Sequence, residues 1–250
     1  MRERMACIAA CLTLSLLLVS CGGGSGGTAG PAQKGADVCN DLKNTERLRY
    51  TIKYLLDSPK QESPPDNSTA AEWAVKPSFE NFHLETTHVG SFVQPDKLDF
   101  QFSVPDQPAV RSIRIGENQW YQLNDSWVPA QEPAAFPFTP PQVCDAIVSP
   151  LDLAGKTGVS EKVGDTDAEH IRIAAAPLST GALLGDQSDN SKLLKSWDVD
   201  LWLSNKGSRL VKAEAVAKTT YPYGRELSST LSLEVGSFND DNIADIKPPF

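Results

Sequence analysis

Five cysteines, three histidines and a surplus of carboxylates are the chemically capable side chains of this 250-residue chain. Their spacing removes most of the chemistry they could do. His83 and His88 lie five apart in "ENFHLETTHV", where strand alternation aims them at opposite faces, and both are expected at the surface. His170, inside "AEHIRI", reads as an ordinary strand residue. No H-E-x-x-H pair occurs and no serine has a histidine partner by motif, so no catalytic residue is assigned and an enzyme is not expected. Asp240, Asp241 and Asp245 lack the spacing of a calcium loop and read as a solvated turn. No metal and no cofactor is expected. Two glycine patterns, at Gly22, Gly24 and Gly27 and within Gly23–Gly27, imitate nucleotide-binding and hydrolase motifs, but neither follows a strand or opens a helix.

One thiol stands apart. Arg2 and Arg4 give a short positive start, Met5 to Val19 is mostly apolar, and small residues lead to Cys21. The run is long enough for a signal-peptide core and short for a membrane span. Leu18-Val19-Ser20-Cys21 resembles the lipobox of bacterial lipoproteins. The resemblance implies lipidation of Cys21, through a thioether-linked diacylglycerol, and cleavage before it. An ordinary secretory signal, or an uncleaved anchor, is the other reading. Two or three acyl chains, at about 0.8 kcal/mol per buried methylene, hold a protein at a bilayer where one does not. Gly22 to Gly35, "GGGSGGTAGPAQKG", has too little apolar surface to offset the entropy of ordering and reads as a tether spanning on the order of 20 Å. The expected divisions are a signal peptide over 1–20, a lipidated cysteine and tether over 21–35, and one domain over 36–250. The expected location is the cell envelope, exported and membrane-anchored, on the outer face of the cytoplasmic membrane or in the periplasm.

Without the signal peptide the chain keeps 21 basic and 31 acidic residues, a net charge of −10. Such a surface repels nucleic acid and anionic headgroups, so no nucleic-acid partner is expected and the membrane contact falls to the Cys21 anchor. Cys7 and Cys11 leave with the signal peptide, which leaves Cys39 and Cys144. In an exported protein the expected state is a disulfide between them; two separate buried thiols are the alternative.

The elements that must position everything else are strands. Apolar residues recur with a period of two in Leu48-Tyr50-Ile52, in Leu98-Phe100-Phe102-Val104, in Val199-Leu201-Leu203 and in Leu231-Leu233-Val235. That pattern marks sheet strands with one apolar and one polar face, hence antiparallel. Turn residues at Gly116-Glu117-Asn118, Gly164-Asp165 and Asn205-Lys206-Gly207 separate neighbouring runs. Helical signals are confined to Ala36–Asn44, Pro141–Ser149 and Ser191–Trp197. Pro-, Ser- and Asp-rich loops fall at Ser58–Ala70 and around Pro129–Pro141. The fold class is mainly β with a few short helices.

From about Leu48 to Pro249 the order of features resembles the LppX/LprG-type lipoproteins and their LolA-like relatives. The carrying segments are "IRIGENQWYQLNDSWVP", a cysteine-bearing helix, "VGDTDAEHIRI", "DVDLWLSNKGSRLVKAEA" and "LSLEVGSFNDDNIADIKPP". The resemblance implies a strongly curved antiparallel sheet, an incomplete barrel closed by helices, whose concavity holds acyl chains. The implied partner is a lipid or acyl-chain ligand, carried or sensed; an envelope protein partner, bound by a non-catalytic interaction module of the same fold, is the alternative. Candidate cavity or rim residues are Leu48, Tyr50, Ile52, Phe100, Phe102, Trp120, Trp127, Leu201 and Leu203. A curved sheet of this length offers more inner apolar surface than a few short helices can fill, and an empty apolar cavity loses dispersion contacts.

Overall fold

A computed structural model describes residues 34–58, 82–131, 138–177, 196–204, 209–220 and 226–250. Among them the expected architecture is present: one curved, open antiparallel sheet and two helices. The helices are α1 (Gly35–Lys43) and α2 (Pro140–Ile147). The strands are β1 (Arg47–Ser58), β2 (Phe82–Val93), β3 (Lys97–Ser103), β4 (Val110–Ile115), β5 (Asn118–Leu123), β6 (Ser126–Pro129), β7 (Val159–Val163), β8 (Thr166–Pro177), β9 (Ser196–Ser204), β10 (Leu210–Thr220) and β11 (Glu226–Gly236). Their order in the sheet is β6-β5-β4-β3-β2-β1-β11-β10-β9-β8-β7. Both halves are hairpin meanders, and they meet where β1 pairs with β11.

The two-residue period fixes which side chains share a face. Tyr50 stands opposite Gly90 and Val235, and Ile52 opposite His88 and Leu233. The even residues of β1 therefore join Phe92, Leu98 and Phe100 on one side and Leu231, Ala213, Leu201 and Ile171 on the other. This inner face packs against Val38, Cys39 and Leu42 of α1 and Val143, Cys144 and Ile147 of α2. Ala213, Ala215 and Ala217 keep β10 low, and both helices sit against it.

Local chemistry sets the helices. Thr139 and Gln142 form a reciprocal capping box at the start of α2, with proline in its first turn. Gly35 opens α1 where a Cβ would lie 1.8 Å from the Val148 carbonyl oxygen, so the chain end beyond α2 admits only glycine there. A disulfide joins Cys39 of α1 to Cys144 of α2 across 105 residues. Closing a loop of that length is worth about 4–5 kcal/mol in the chain-entropy account.

The C-terminal segment forms a second, smaller core on the outer face. Ile243 and Ile246 pack over Val93 and Ile113. Asn239 fixes this strap: its side chain accepts from the Glu46 N–H at 2.9 Å and its own N–H donates to the Arg47 carbonyl at 2.8 Å. The Arg47 guanidinium donates to the Ile243 carbonyl at 2.8 Å.

Of the three helical signals, two lie at α1 and α2. Ser196 and Trp197 of the third open strand β9; the rest of it falls outside the described residues, as do 59–70 of the first predicted loop.

Candidate functional site

The inner face is the site the sequence points to, and it is graded along the strands. Leu48, Tyr50, Ile52, Phe100, Leu201 and Leu203 are 0–4% exposed. They lie side by side in the main core and form a closely packed floor. Further along the same face, Tyr54 and Leu56 of β1, Leu84 and Thr86 of β2 and Phe102 of β3 are half-buried. Register sets Tyr54 opposite Thr86 and Leu56 opposite Leu84. At the same end Ser58, Leu231, Ser229 and Ala217 are buried, so the half-buried stretch is confined to β1, β2 and β3.

Gly90 shapes the floor. Its ideal Cβ would lie 2.2 Å from the Asp99 carbonyl oxygen and 2.6 Å from the Phe100 Cα, so β2 and β3 close on each other as no other residue allows. The Tyr50–Gly90–Phe100 row thereby places two rings on either side of a position without a side chain.

His88 corrects the sequence reading. Alternation does aim His83 and His88 to opposite faces, and His83 is exposed beside Asp57 at 3.3 Å. His88, expected at the surface, is 2% exposed. It stacks on Phe100 and tilts against Phe102, ring centroids 5.7 and 4.9 Å apart. Desolvation pushes its pKa down to about 4, so the imidazole is neutral at physiological pH. The signal was present: His88 is in frame with Leu84 and Phe92, and a histidine in an apolar register belongs to the apolar face.

Other polar groups on this face include hydroxyls, an amide and, by register, the charged Arg114 opposite Leu98 and Glu169 opposite Leu203. Among the described residues the Tyr50 hydroxyl has no hydrogen-bond partner, and burial, then the Asp99 charge, raises its pKa. On β4 and β5, the Gln119 amide donates to Ser112 Oγ at 3.1 Å, and Ser112 donates to the Trp120 carbonyl at 3.0 Å.

Trp120 and Trp127 are not brought to this site. Trp120 stands opposite Ile113 on β4 and Trp127 opposite Gln122, which puts both on the outer face. There they flank the Ile243–Ile246 strap. Trp120 meets Phe250 edge-on, and the Arg111 guanidinium, paired with Asp99 at 2.8 Å, lies 5.6 Å from the Trp127 ring centre.

The outer face also carries a groove of about 470 Å³ between the middle of the sheet and the β7–β8 turn. Arg49, Val89, Ser91 and Glu234 line its floor, Val163 and Asp165 its wall. Sequence patterning held no sign of it, because the groove depends on how the hairpin sits over the sheet.

No protein-family model matches the chain, and no curated protein matches it. Among solved structures it is similar to LprF from Mycobacterium bovis, at 10% identity over 85% of this chain and 93% of that one, with a TM-score of 0.47. It is also similar to the lipoprotein LppX of Mycobacterium tuberculosis, at 12% identity over 84% of this chain and 94% of that one, with a TM-score of 0.49.

Proposed function

We propose that this chain is an exported lipoprotein, tethered through Cys21, whose domain over 36–250 binds a lipid or acyl moiety on the inner face of its sheet, for carriage or sensing. The observation that carries the reading is the inner face itself. It is apolar across the sheet, closed by helices over β10 and β11, and only half-buried around Leu56, Leu84 and Phe102. Burying a sixteen-carbon chain there would contribute on the order of 10 kcal/mol at about 0.8 per methylene, a term large enough to compete with the bilayer.

Native mass spectrometry after mild detergent extraction tests this. The expected spectrum contains the protein with one non-covalent lipid in addition to the acyl groups on Cys21. A spectrum of protein without such a lipid, before and after incubation with envelope lipid extract, rules the reading out.

One observation favours a second reading. Six of the nine candidate residues are packed to 4% exposure or less, as expected of a solid scaffold that presents a protein-binding surface. That reading gains if the protein binds no lipid and captures an envelope protein whose binding survives delipidation.

A further inference from the structure

We propose that His170 is a proton-dependent clamp that fastens the edge strand β7 to the outer face of the sheet. β7 is the terminal strand of the order, paired among the described residues only to β8, with Val159 to Lys162 exposed. Its Glu161 reaches across β8. One oxygen, Oε2, lies 3.1 Å from His170 Nδ1 and accepts from the Trp202 indole N–H at 3.2 Å. The other ring nitrogen, His170 Nε2, lies 2.7 Å from Asp200 Oδ1 of β9. The imidazole stacks on Trp202 with centroids 4.4 Å apart and planes 8° from parallel, which fixes its orientation. Lys212 of β10 covers the indole, 4.4 Å from its centre, and pairs with Glu214 at 3.3 Å.

Both ring nitrogens therefore face carboxylate oxygens, which only donate-from-both geometry can satisfy. The imidazolium donates from both; a neutral ring donates from one and presents a lone pair from the other. The shorter bond, to Asp200, keeps its proton on deprotonation, and Nδ1 then opposes Glu161. The charged groups around the ring are Glu161 from β7, Arg172 of β8 (opposite Asp200 by register), Asp200 from β9, and Lys212 and Glu214 from β10. Among these and the ring itself, histidine is the side-chain type whose charge ordinarily changes between pH 5 and 8. Loss of the proton leaves β7 with its ladder to β8, with the Trp202 donation and, just before the strand, with the Gly158 N–H bond to Glu169 at 2.6 Å. The strand is loosened without being released. Since Val163 to Thr166 form the wall of the outer groove, the same proton sets how firmly that wall is held.

Hydrogen exchange of the β7 amides tests the clamp in the detergent-purified full chain between pH 5.5 and 8.5, corrected for the intrinsic pH dependence of exchange. Protection is expected to be lower at pH 8.5 by about five-fold or more, the scale of one charge-assisted hydrogen bond. His170→Phe keeps a ring on Trp202 and is expected to show the same low protection at both pH values. His88→Leu is expected to leave the step intact. Flat protection in the parent chain, or a step that persists in His170→Phe, overturns the proposal. Should His170→Phe not fold, Glu161→Gln replaces it: the step is expected to shrink by at least about half, and an unchanged step overturns the proposal.

Discussion

At the scale of single residues, burial sets how the polar members of the inner face behave. His88 is held in an aromatic stack where charge is disfavoured, and its folded pKa of about 4 lies below the ordinary 6.5. The sign follows from linkage. Above pH 6.5 both folded and unfolded chains carry a neutral imidazole and His88 makes no pH-dependent difference. Between pH 6.5 and 4 the unfolded chain takes up a proton that the folded chain refuses, so stability falls as pH falls, by about 1.4 kcal/mol per pH unit and roughly 3 kcal/mol in full. Urea unfolding at pH 7 and pH 4.5 is expected to show this loss in the parent chain, and His88→Leu to remove most of it. An equal loss in both proteins would place the acid sensitivity elsewhere. Tyr50 gives a complementary case: its buried hydroxyl is unpartnered among the described residues, so Tyr50→Phe is expected to raise stability by about 1 kcal/mol in the same assay.

At the scale of elements, the sheet depends on positions where side chains are absent or small. A methyl group at Gly90 would strike the Asp99 carbonyl and the Phe100 backbone, which no rotamer change relieves. Gly90→Ala is expected to lower stability by about 3 kcal/mol or more, as overpacking against backbone does, whereas Gly236→Ala, with nothing within 4 Å of its Cβ, is expected to change it by less than about 1 kcal/mol. Thermal denaturation of the two variants side by side checks the contrast. The same distinction explains what could be read from sequence. Strands β1, β3, β9 and β11 were legible because their apolar residues alternate over several positions, and α2 because proline precedes Val143, Cys144 and Ile147 near one side of the helix. The disulfide between Cys39 and Cys144 fell out of counting cysteines in a chain read as exported. Trp120 and Trp127 were legible as strand residues but not by face: the outer side of β4 and β5 is itself apolar, since Ile243 and Ile246 cover it. Alternation cannot choose between two faces that are both buried. The clamp at His170 was hidden for another reason. It joins residues of β7, β8 and β9 whose apposition depends on register, which hydrophobic patterning leaves open.

At the scale of the whole molecule, the inner face has a packed floor and, on β1, β2 and β3, a half-buried stretch; if a ligand lies along that stretch, this division separates folding from binding. Leu48, Ile52 and Leu201 are 0–1% exposed within the main core, where a polar replacement forfeits transfer free energy and buries an unpaired amide. Ile52→Asn is expected to destabilise the chain by about 3–5 kcal/mol or prevent folding. Leu56 and Leu84 stand opposite each other at the half-buried end, where an amide remains in reach of water and the cost is about 1 kcal/mol or less. If an acyl chain lies along this end, Leu56→Asn with Leu84→Asn removes part of its apolar bed while leaving the fold intact. The double variant is then expected to keep its melting temperature within a few degrees and to lose most of the lipid seen with the parent chain by native mass spectrometry. Unchanged lipid content in a folded double variant would move the binding surface away from this end of the sheet. Loss of lipid together with loss of the thermal transition would show that Leu56 and Leu84 belong to the packed floor instead.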